Sequence, residues 1–285
     1  MRQFYLVNED GQRYELINDF SKAFLWQPSG LGFQIDREYR ESDGFFFEMR
    51  KEFGQTAKAG TLVFFGSDPY GEYKTFVDFI TQADELKLAY CPKNDWYYVD
   101  VDIEVLEKSE LSDDGTLRCM ISMLPKTPFY LPYEINIDID GDPGASKQYD
   151  YKYDYAYADS AVAGEIEFSL DAQMNSAFEM IIPGTISAPV MTFSIDGVNI
   201  GKVDLSSIAV QNGEYVRYSS IPTSAGIYLY SSGTETDITA QIGLSASLPT
   251  FFLLPPNKTI KAKLTASSLT GTSAELKVYE YFYSV

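Results

Sequence analysis

Histidine is absent from the 285-residue sequence, and this excludes several kinds of active site. Ser-His-Asp and Cys-His nucleophile systems need an imidazole, as do zinc sites with histidine ligands. The Ser-x-x-Lys sequence of β-lactamase-type serines is also missing, and so is a phosphate-binding Gly-x-x-x-x-Gly-Lys loop. A hydrolase that uses two carboxylates stays as an alternative, but 41 acidic residues make that pattern uninformative. We therefore predict that the protein is not an enzyme and has no catalytic residue, metal ligand or cofactor.

Cysteines and long apolar runs are scarce too. Cys91 and Cys119 are the two cysteines, too few for a zinc cluster and too far apart for a Cys-x-x-Cys pair. No apolar run approaches the roughly 18 residues that a membrane-spanning helix needs. The first residues, MRQFYLVNEDGQRY, have turn residues where a signal peptide has its apolar core. We expect reduced thiols and a chain that folds in a cytoplasm.

Basic residues are outnumbered, with 22 Lys and Arg against 41 Asp and Glu, for a net charge of −19. The imbalance is shared along the chain. Before Tyr133 there are 14 basic and 23 acidic residues, and from Tyr133 onward there are 8 and 18. Neither half offers the basic surface that binds DNA or anionic lipid. We expect no specific nucleic-acid binding and no membrane association.

Aromatic residues are abundant at 15%, which favours a chain built mainly of strands. Ser67 to Leu86 is the one stretch with apolar residues at helical spacing over three turns. Asp68 can cap its first free N–H groups, and Pro69 suits the first helical position. The apolar residues expected to face a sheet are Tyr70, Tyr73, Phe76, Val77 and Ile80. The sequence thus predicts an α+β first domain with one helix on a β-sheet or sandwich.

Alternation and turn residues indicate the strands of this domain. A hairpin is predicted around Asn8-Glu9-Asp10-Gly11. Trp96–Glu107 alternates clearly, and its expected hairpin partner contains Leu117, Cys119, Ile121 and Met123. Phe24–Phe33 is interpreted as a loop-rich passage with many aromatic residues.

The segment Leu124–Pro132 has three prolines in nine residues and is the best candidate for a domain boundary. We predict domains at 1–132 and 133–285. The second half shows short strands with turn signals such as Asp196-Gly197 and Ser232-Gly233, a pattern typical of a β-sandwich or jelly roll. The last strand, 275–285, fits either domain.

Two further patterns lie in the second half. Asp138, Asp140 and Asp142 have carboxylates that could ligate calcium, but Tyr149 stands where the loop needs Glu, so a polar hairpin turn is the alternative. Beyond them five tyrosines alternate with other residues and would line one face of a strand. These are Tyr149, Tyr151, Tyr153, Tyr155 and Tyr157. An ordinary strand or loop, a protein interface and a sugar-binding platform remain open for them.

Several motifs, taken in their order, resemble the siphophage distal tail protein (Dit) family. The first-half motifs are QPSGLGF at 27–33, YGEYKTFVDFI at 70–80, ELKLAYCP at 85–92 and MLPKTPFYLP at 123–132. The second-half motifs are GEIEF at 164–168, IPGTISAPV at 182–190, IDG at 195–197 and LLPPNKTI at 253–260. The latter resemble the family's galectin-like β-sandwich domain. The acidic, tyrosine-rich segment at 149–160 departs from the family pattern.

The resemblance implies a structural protein of the virion, at the tip of a phage tail or baseplate. The first domain would form a ring, usually a hexamer, below the tail-tube protein and around the DNA channel. The second would hold receptor-binding or side-fibre proteins, and a tail-tip or tail-associated lysin protein would dock beneath. The alternative is a carbohydrate-binding module that contacts host cell-wall polysaccharide through the tyrosine stripe.

The aromatic density of 45–53 supplies one further hypothesis. We expect this run to form an arm or belt that packs on a neighbouring protomer. The candidate interface residues are Phe45, Phe46, Phe47, Met49 and Phe53. Rings buried inside their own protomer would end the hypothesis.

Overall fold

A computed structural model describes residues 3–17, 22–138, 162–242, 248–270 and 273–285. In these ranges the protein is mainly β, as predicted, with one α-helix and one short 3₁₀ turn at Thr239–Gln241. The chain divides into two compact units. The first is Met1–Leu131 with Phe282–Val285, and the second is Pro132–Tyr281.

The first unit is an antiparallel assembly around one apolar core. Its strands are β1 (Gln3–Asn8), β2 (Arg13–Ile17), β3 (Ala23–Ser29), β4 (Gln34–Ser42), β5 (Phe45–Gly54), β6 (Lys58–Phe64), β7 (Leu86–Cys91), β8 (Tyr97–Leu111), β9 (Leu117–Pro125) and the beginning of β10 (Phe129–Ile137). Seven of them pair in the order β2-β1-β7-β8-β9-β6-β3. The predicted hairpins β1-β2 and β8-β9 are confirmed. The long strand β8 pairs with β7 through residues 97–101 and with β9 through residues 101–111, and two register irregularities interrupt the pairing with β9.

The predicted helix is present as α1 (Pro69–Gln82). The Asp68 carboxylate accepts a hydrogen bond from the Gly71 N–H at 2.9 Å, and Pro69 occupies the first turn. Phe76 is fully buried, and its ring lies against those of Phe64 and Tyr14. These contacts explain why a helix of 14 residues is stable here, since isolated helices of this length are marginal in water.

Two expectations for the first unit are wrong in detail. Tyr70 was expected to face the sheet but is exposed; its hydroxyl contacts Glu110, and Lys108 lies over its ring. The supposed loop at Phe24–Phe33 instead opens with strand β3, which pairs with β6. Pro28 fits within that strand because a register irregularity separates Trp26 from Ser29.

The second unit is a β-sandwich. Its strands are the rest of β10, then β11 (Val162–Ser169), β12 (Ala177–Pro183), β13 (Thr185–Ser187), β14 (Val190–Ile195), β15 (Val198–Asp204), β16 (Ala209–Val210), β17 (Tyr215–Ser219), β18 (Gly226–Ser231), β19 (Thr234–Asp237), β20 (Thr259–Ala266), β21 (Ser268–Thr270) and β22 (Ala274–Phe282). One sheet has the order β11-β20-β14-β15, and another runs β19-β18-β17-β12-β22. Strands β16, β13 and β21 form a third, smaller sheet.

The turns predicted at Asp196-Gly197 and Ser232-Gly233 are confirmed. In each pair both residues have positive φ, between 50° and 84°, which is the geometry of tight two-residue hairpins. The last strand, β22, pairs with β12 through residues 275–279, while Phe282 joins the core of the first unit.

A buried carboxyl group in β22 leads us to expect that the stability of the second unit depends on pH. Glu280 is almost fully buried and accepts a hydrogen bond from the Asp171 N–H at 2.8 Å. Burial raises the pKa of Glu280 above its ordinary value; the hydrogen bond from the Asp171 N–H opposes this shift, and the nearby Asp171 charge adds to it. The folded state therefore favours the neutral acid, and above the folded pKa the ionised group opposes folding.

We expect Glu280→Gln to stabilise the second unit at pH 7, because the amide oxygen keeps the hydrogen bond from Asp171 without a charge. The gain in stability should shrink as the pH falls through the raised pKa of the folded protein. It should vanish below the pKa of the unfolded chain, where Glu280 is neutral in both states. Urea unfolding at pH 7 and pH 4 measures the difference. Glu167→Gln on exposed β11 is the matched control and should show no such gain. A glutamine variant less stable than wild type at pH 7 would contradict the assignment.

A candidate protein-protein interface

Strands β4 and β5 form a hairpin that stands apart from the other sheets of the first unit. Nine residue pairs join the two strands, and neither strand pairs with another described strand. Asp43 and Gly44 close the turn with φ values of 52° and 81°. We refer to this hairpin, 34–54, as the arm. A two-stranded hairpin alone is at best marginally stable in water, so the arm needs further contacts.

Apolar side chains cover the free end of the arm. Phe45, Phe46, Phe47 and Met49 have 70%, 71%, 55% and 61% of their surface exposed. Consecutive strand residues point to opposite faces, so Phe45 to Phe47 place rings on both faces of the arm. Contiguous exposed rings of this kind mark interaction surfaces in soluble proteins. Burial of these rings within their own protomer would have ended the arm hypothesis. They are instead exposed.

The fifth predicted interface residue, Phe53, lies at the other end of the arm. Its ring stacks on Tyr283 with centroids 3.7 Å apart, and Phe33 packs against both rings. Phe53 therefore anchors the base of the arm, and the four residues at the tip are left as the candidate contact surface.

Charged residues along the arm do not supply the missing stability. Arg37 pairs with Glu48 at 2.9 Å, and Arg50 pairs with Glu52, but all four side chains are well exposed. Exposed ion pairs of this type contribute little to stability, because water and salt screen the charges. These charged side chains lie along the arm and leave its apolar tip uncovered.

A second exposed aromatic cluster lies on the first unit and was not predicted. Phe24, Trp26 and Phe65 line a groove of about 320 Å³ together with the buried side chain of Val63 in β6, and Arg118 of β9 lies beside Trp26. In β3 the buried residues Ala23 and Leu25 alternate with the outward-facing Phe24 and Trp26. All four residues are apolar, so the sequence alone does not show which of them face outward; the available signal was only the aromatic density of the segment.

The structure offers less support for the other sites considered in the sequence analysis. The tyrosine stripe at 149–157 and most of the acidic segment at 138–142 lie outside the described residues. Within the described ranges no group of three or more Asp, Glu, Cys or His side chains is placed to hold a metal ion. Cys91 and Cys119 are buried and unpaired, and burial raises the pKa of the Cys119 thiol. No helix in the described part of the chain has the length and hydrophobicity needed to cross a membrane.

Comparisons with known proteins find one matching family and solved structures with a similar fold. Residues 3–126 match the family described as distal tail protein, N-terminal domain. The phage P2 baseplate in its activated conformation with Ca contains a chain with a TM-score of 0.68 and 17% identity, with complete coverage of both chains. The SPP1 Dit (gp 19.1) protein, described as a hub of the adsorption apparatus in phages that infect Gram-positive hosts, has a TM-score of 0.59 and 9% identity over 98% of this chain and 99% of that one. No curated protein sequence matches the chain significantly.

Proposed function

Residues 3–126 belong to the distal tail protein family, and we propose that the whole chain forms a ring-shaped hub at the tip of a siphophage tail. It is a distal tail or baseplate protein and a structural component of the phage virion. Its role in the proposal is to hold neighbouring subunits and other tail proteins together, with no catalytic step.

The arm is the observation that carries the ring proposal. A single subunit leaves three phenylalanines and a methionine exposed at the arm tip. Burying such side chains yields about 1.5–3 kcal/mol each. A contact from the arm of one subunit to the body of the next is heterologous, and it closes into a ring when the rotation between subunits is an exact fraction of a turn. We propose six subunits, the number that the family resemblance implies.

The charge of the chain supports a channel that passes DNA. Acidic residues exceed basic ones in both halves of the sequence, by 23 to 14 and by 18 to 8. An acidic wall repels phosphate groups and would let the genome slide without binding. We propose that the ring surrounds this channel and makes no specific contact with nucleic acid or membrane.

The proposed partners follow from the position of a hub. The ring would join the tail-tube protein above it to a tail-tip or tail-associated lysin protein below. Receptor-binding or side-fibre proteins would attach to the second unit. Assembly would take place in the host cytoplasm, before the virion is released.

The direct test is the oligomeric state of the purified full-length chain. We expect mass photometry to report six times the 32.0 kDa subunit mass and negative-stain microscopy to show six-fold rings. A chain that stays monomeric in sedimentation runs at the highest soluble concentration would refute the ring. A closed ring of another number would refute only the stoichiometry.

A further inference from the structure

The second unit has a cleft that the ring proposal does not use. It has a volume of about 380 Å³ and lies where strands β10, β12, β17 and β22 meet. Its polar lining residues are Glu134, Asn136, Glu179, Arg217, Glu275 and Lys277. All of them belong to the same compact unit.

Strand alternation creates this polar face. In β12 the side chains of Phe178, Met180 and Ile182 are buried, while Glu179 and Ile181 point away from the core. The strand registers place Arg217 opposite Ile181 on one side and Glu275 opposite it on the other. The cleft is thus built from a regular sheet, which fixes the spacing of its functional groups.

Contacts within the face hold the central side chains in place. Arg217 donates to both carboxylate oxygens of Glu235 at 2.8 Å, and its guanidinium lies 4.5 Å from the centre of the Tyr228 ring. A third nitrogen of Arg217 is 3.4 Å from Glu179, which also accepts a hydrogen bond from the Tyr279 hydroxyl. Groups fixed in this way lose little further freedom when a ligand binds.

Other groups in the cleft still have hydrogen-bonding capacity. In the part of the chain that the structure describes, the Glu275 carboxylate and the Asn136 amide have no hydrogen-bond or ion-pair partner. Both side chains are exposed. They offer acceptors and donors to a ligand, beside the looser pair of Lys277 and Glu134 at 3.4 Å.

The charges define the class of ligand. Three carboxylates against two cations in the lining disfavour phosphate and carboxylate ligands. The apolar residues Ile135, Ile181 and Leu276 complete the lining, so a ligand has to offer apolar surface beside its hydrogen-bonding groups, as the C–H faces of a sugar ring do. Hydroxyl groups both donate and accept hydrogen bonds, so they match closely spaced carboxylate, amide and guanidinium groups. The stacked pair Tyr215 and Tyr230, with ring centres 4.6 Å apart, adds aromatic surface next to Arg217 and Tyr228 in the same sheet.

We propose that this cleft binds a neutral, hydroxyl-rich saccharide. The proposal uses none of the residues of the tyrosine stripe at 149–157, and it requires no ring assembly. Its failure and the failure of the ring proposal can therefore be told apart, since oligomeric state and saccharide binding are measured separately on the same preparation.

The experiment applies the full-length chain to an array of neutral oligosaccharides of glucose, galactose, rhamnose and N-acetylglucosamine, beside phosphorylated and uronic-acid glycans. We expect binding to neutral glycans, followed by calorimetric titration with the strongest of them. The double variant Asn136→Ala, Glu275→Ala removes two groups without a structural partner, so it should fold normally and bind at least about tenfold more weakly, or about 1.4 kcal/mol. Glu167→Ala, on the exposed face of β11, is the matched control and should bind as wild type.

Several results would overturn the proposal. These are an array without neutral ligands, binding to charged glycans alone, and a double variant with unchanged affinity. If the array shows no binding and another purified tail protein protects the cleft from hydrogen exchange, the cleft is a protein interface instead.

Discussion

Replacing Phe45, Phe46 and Phe47 together with serine should abolish ring assembly and leave a folded monomer. The three rings contribute about 5–9 kcal/mol to each subunit contact if they are fully buried there, at about 1.5–3 kcal/mol each. Part of that gain offsets the entropy lost on association. A ring that is stable at micromolar concentration should then dissociate at every concentration accessible to mass photometry.

The monomer should keep its stability because the three rings are exposed in the single subunit. Thermal unfolding followed by circular dichroism checks this. The control Arg40→Ser, Glu41→Ser alters the residues paired with Phe47 and Phe46 across the arm, and these are charged and exposed. It should assemble normally. A serine triple variant that still forms rings would show that the arm tip is not the contact surface.

Sequence reasoning succeeded where the signal was local. The Asp68-Pro69 start of α1 is specified by residues within one turn, and hairpin turns such as Asp196-Gly197 need only two residues with positive φ. It failed for β3, because Gln27 to Ser29 looks like a break but is accommodated as an irregularity in pairing with β6. Pairing between distant strands decided the outcome there, and a single segment does not contain that information.

The candidate surfaces differ in the same way. The arm could be singled out from its aromatic density. The consecutive rings Phe45 to Phe47 gave no alternating pattern that indicates a strand, because the tip has no core on either side to impose alternation. The saccharide cleft had no sequence signal, since Glu134, Glu179, Arg217 and Glu275 come from four strands far apart in the chain. Only the antiparallel registers bring them together.

The separate cores of the two units lead to the second prediction, on Phe178. This residue is fully buried in the second unit, and its ring lies 4.8–5.3 Å from those of Phe193, Tyr218 and Phe252. Phe178→Ala leaves a cavity among rigid rings that cannot collapse to fill it. We expect a loss of about 3–5 kcal/mol in the stability of the second unit. Phe76→Ala should cause a loss of the same order in the first unit, where Phe76 is fully buried.

Hydrogen exchange resolved by peptide distinguishes the two units in one experiment. Phe178→Ala should lower protection in β12 and β17 and leave β1 and β7 unchanged. Phe76→Ala should lower protection in β1 and β7 and leave β12 and β17 unchanged. Val198→Ala, at an exposed position, is the control and should change stability by less than about 0.5 kcal/mol. Equal loss of protection in both units from either variant would mean that the two cores unfold as one. Unit-specific loss would show that each core supports its own surface, the arm in one case and the cleft in the other.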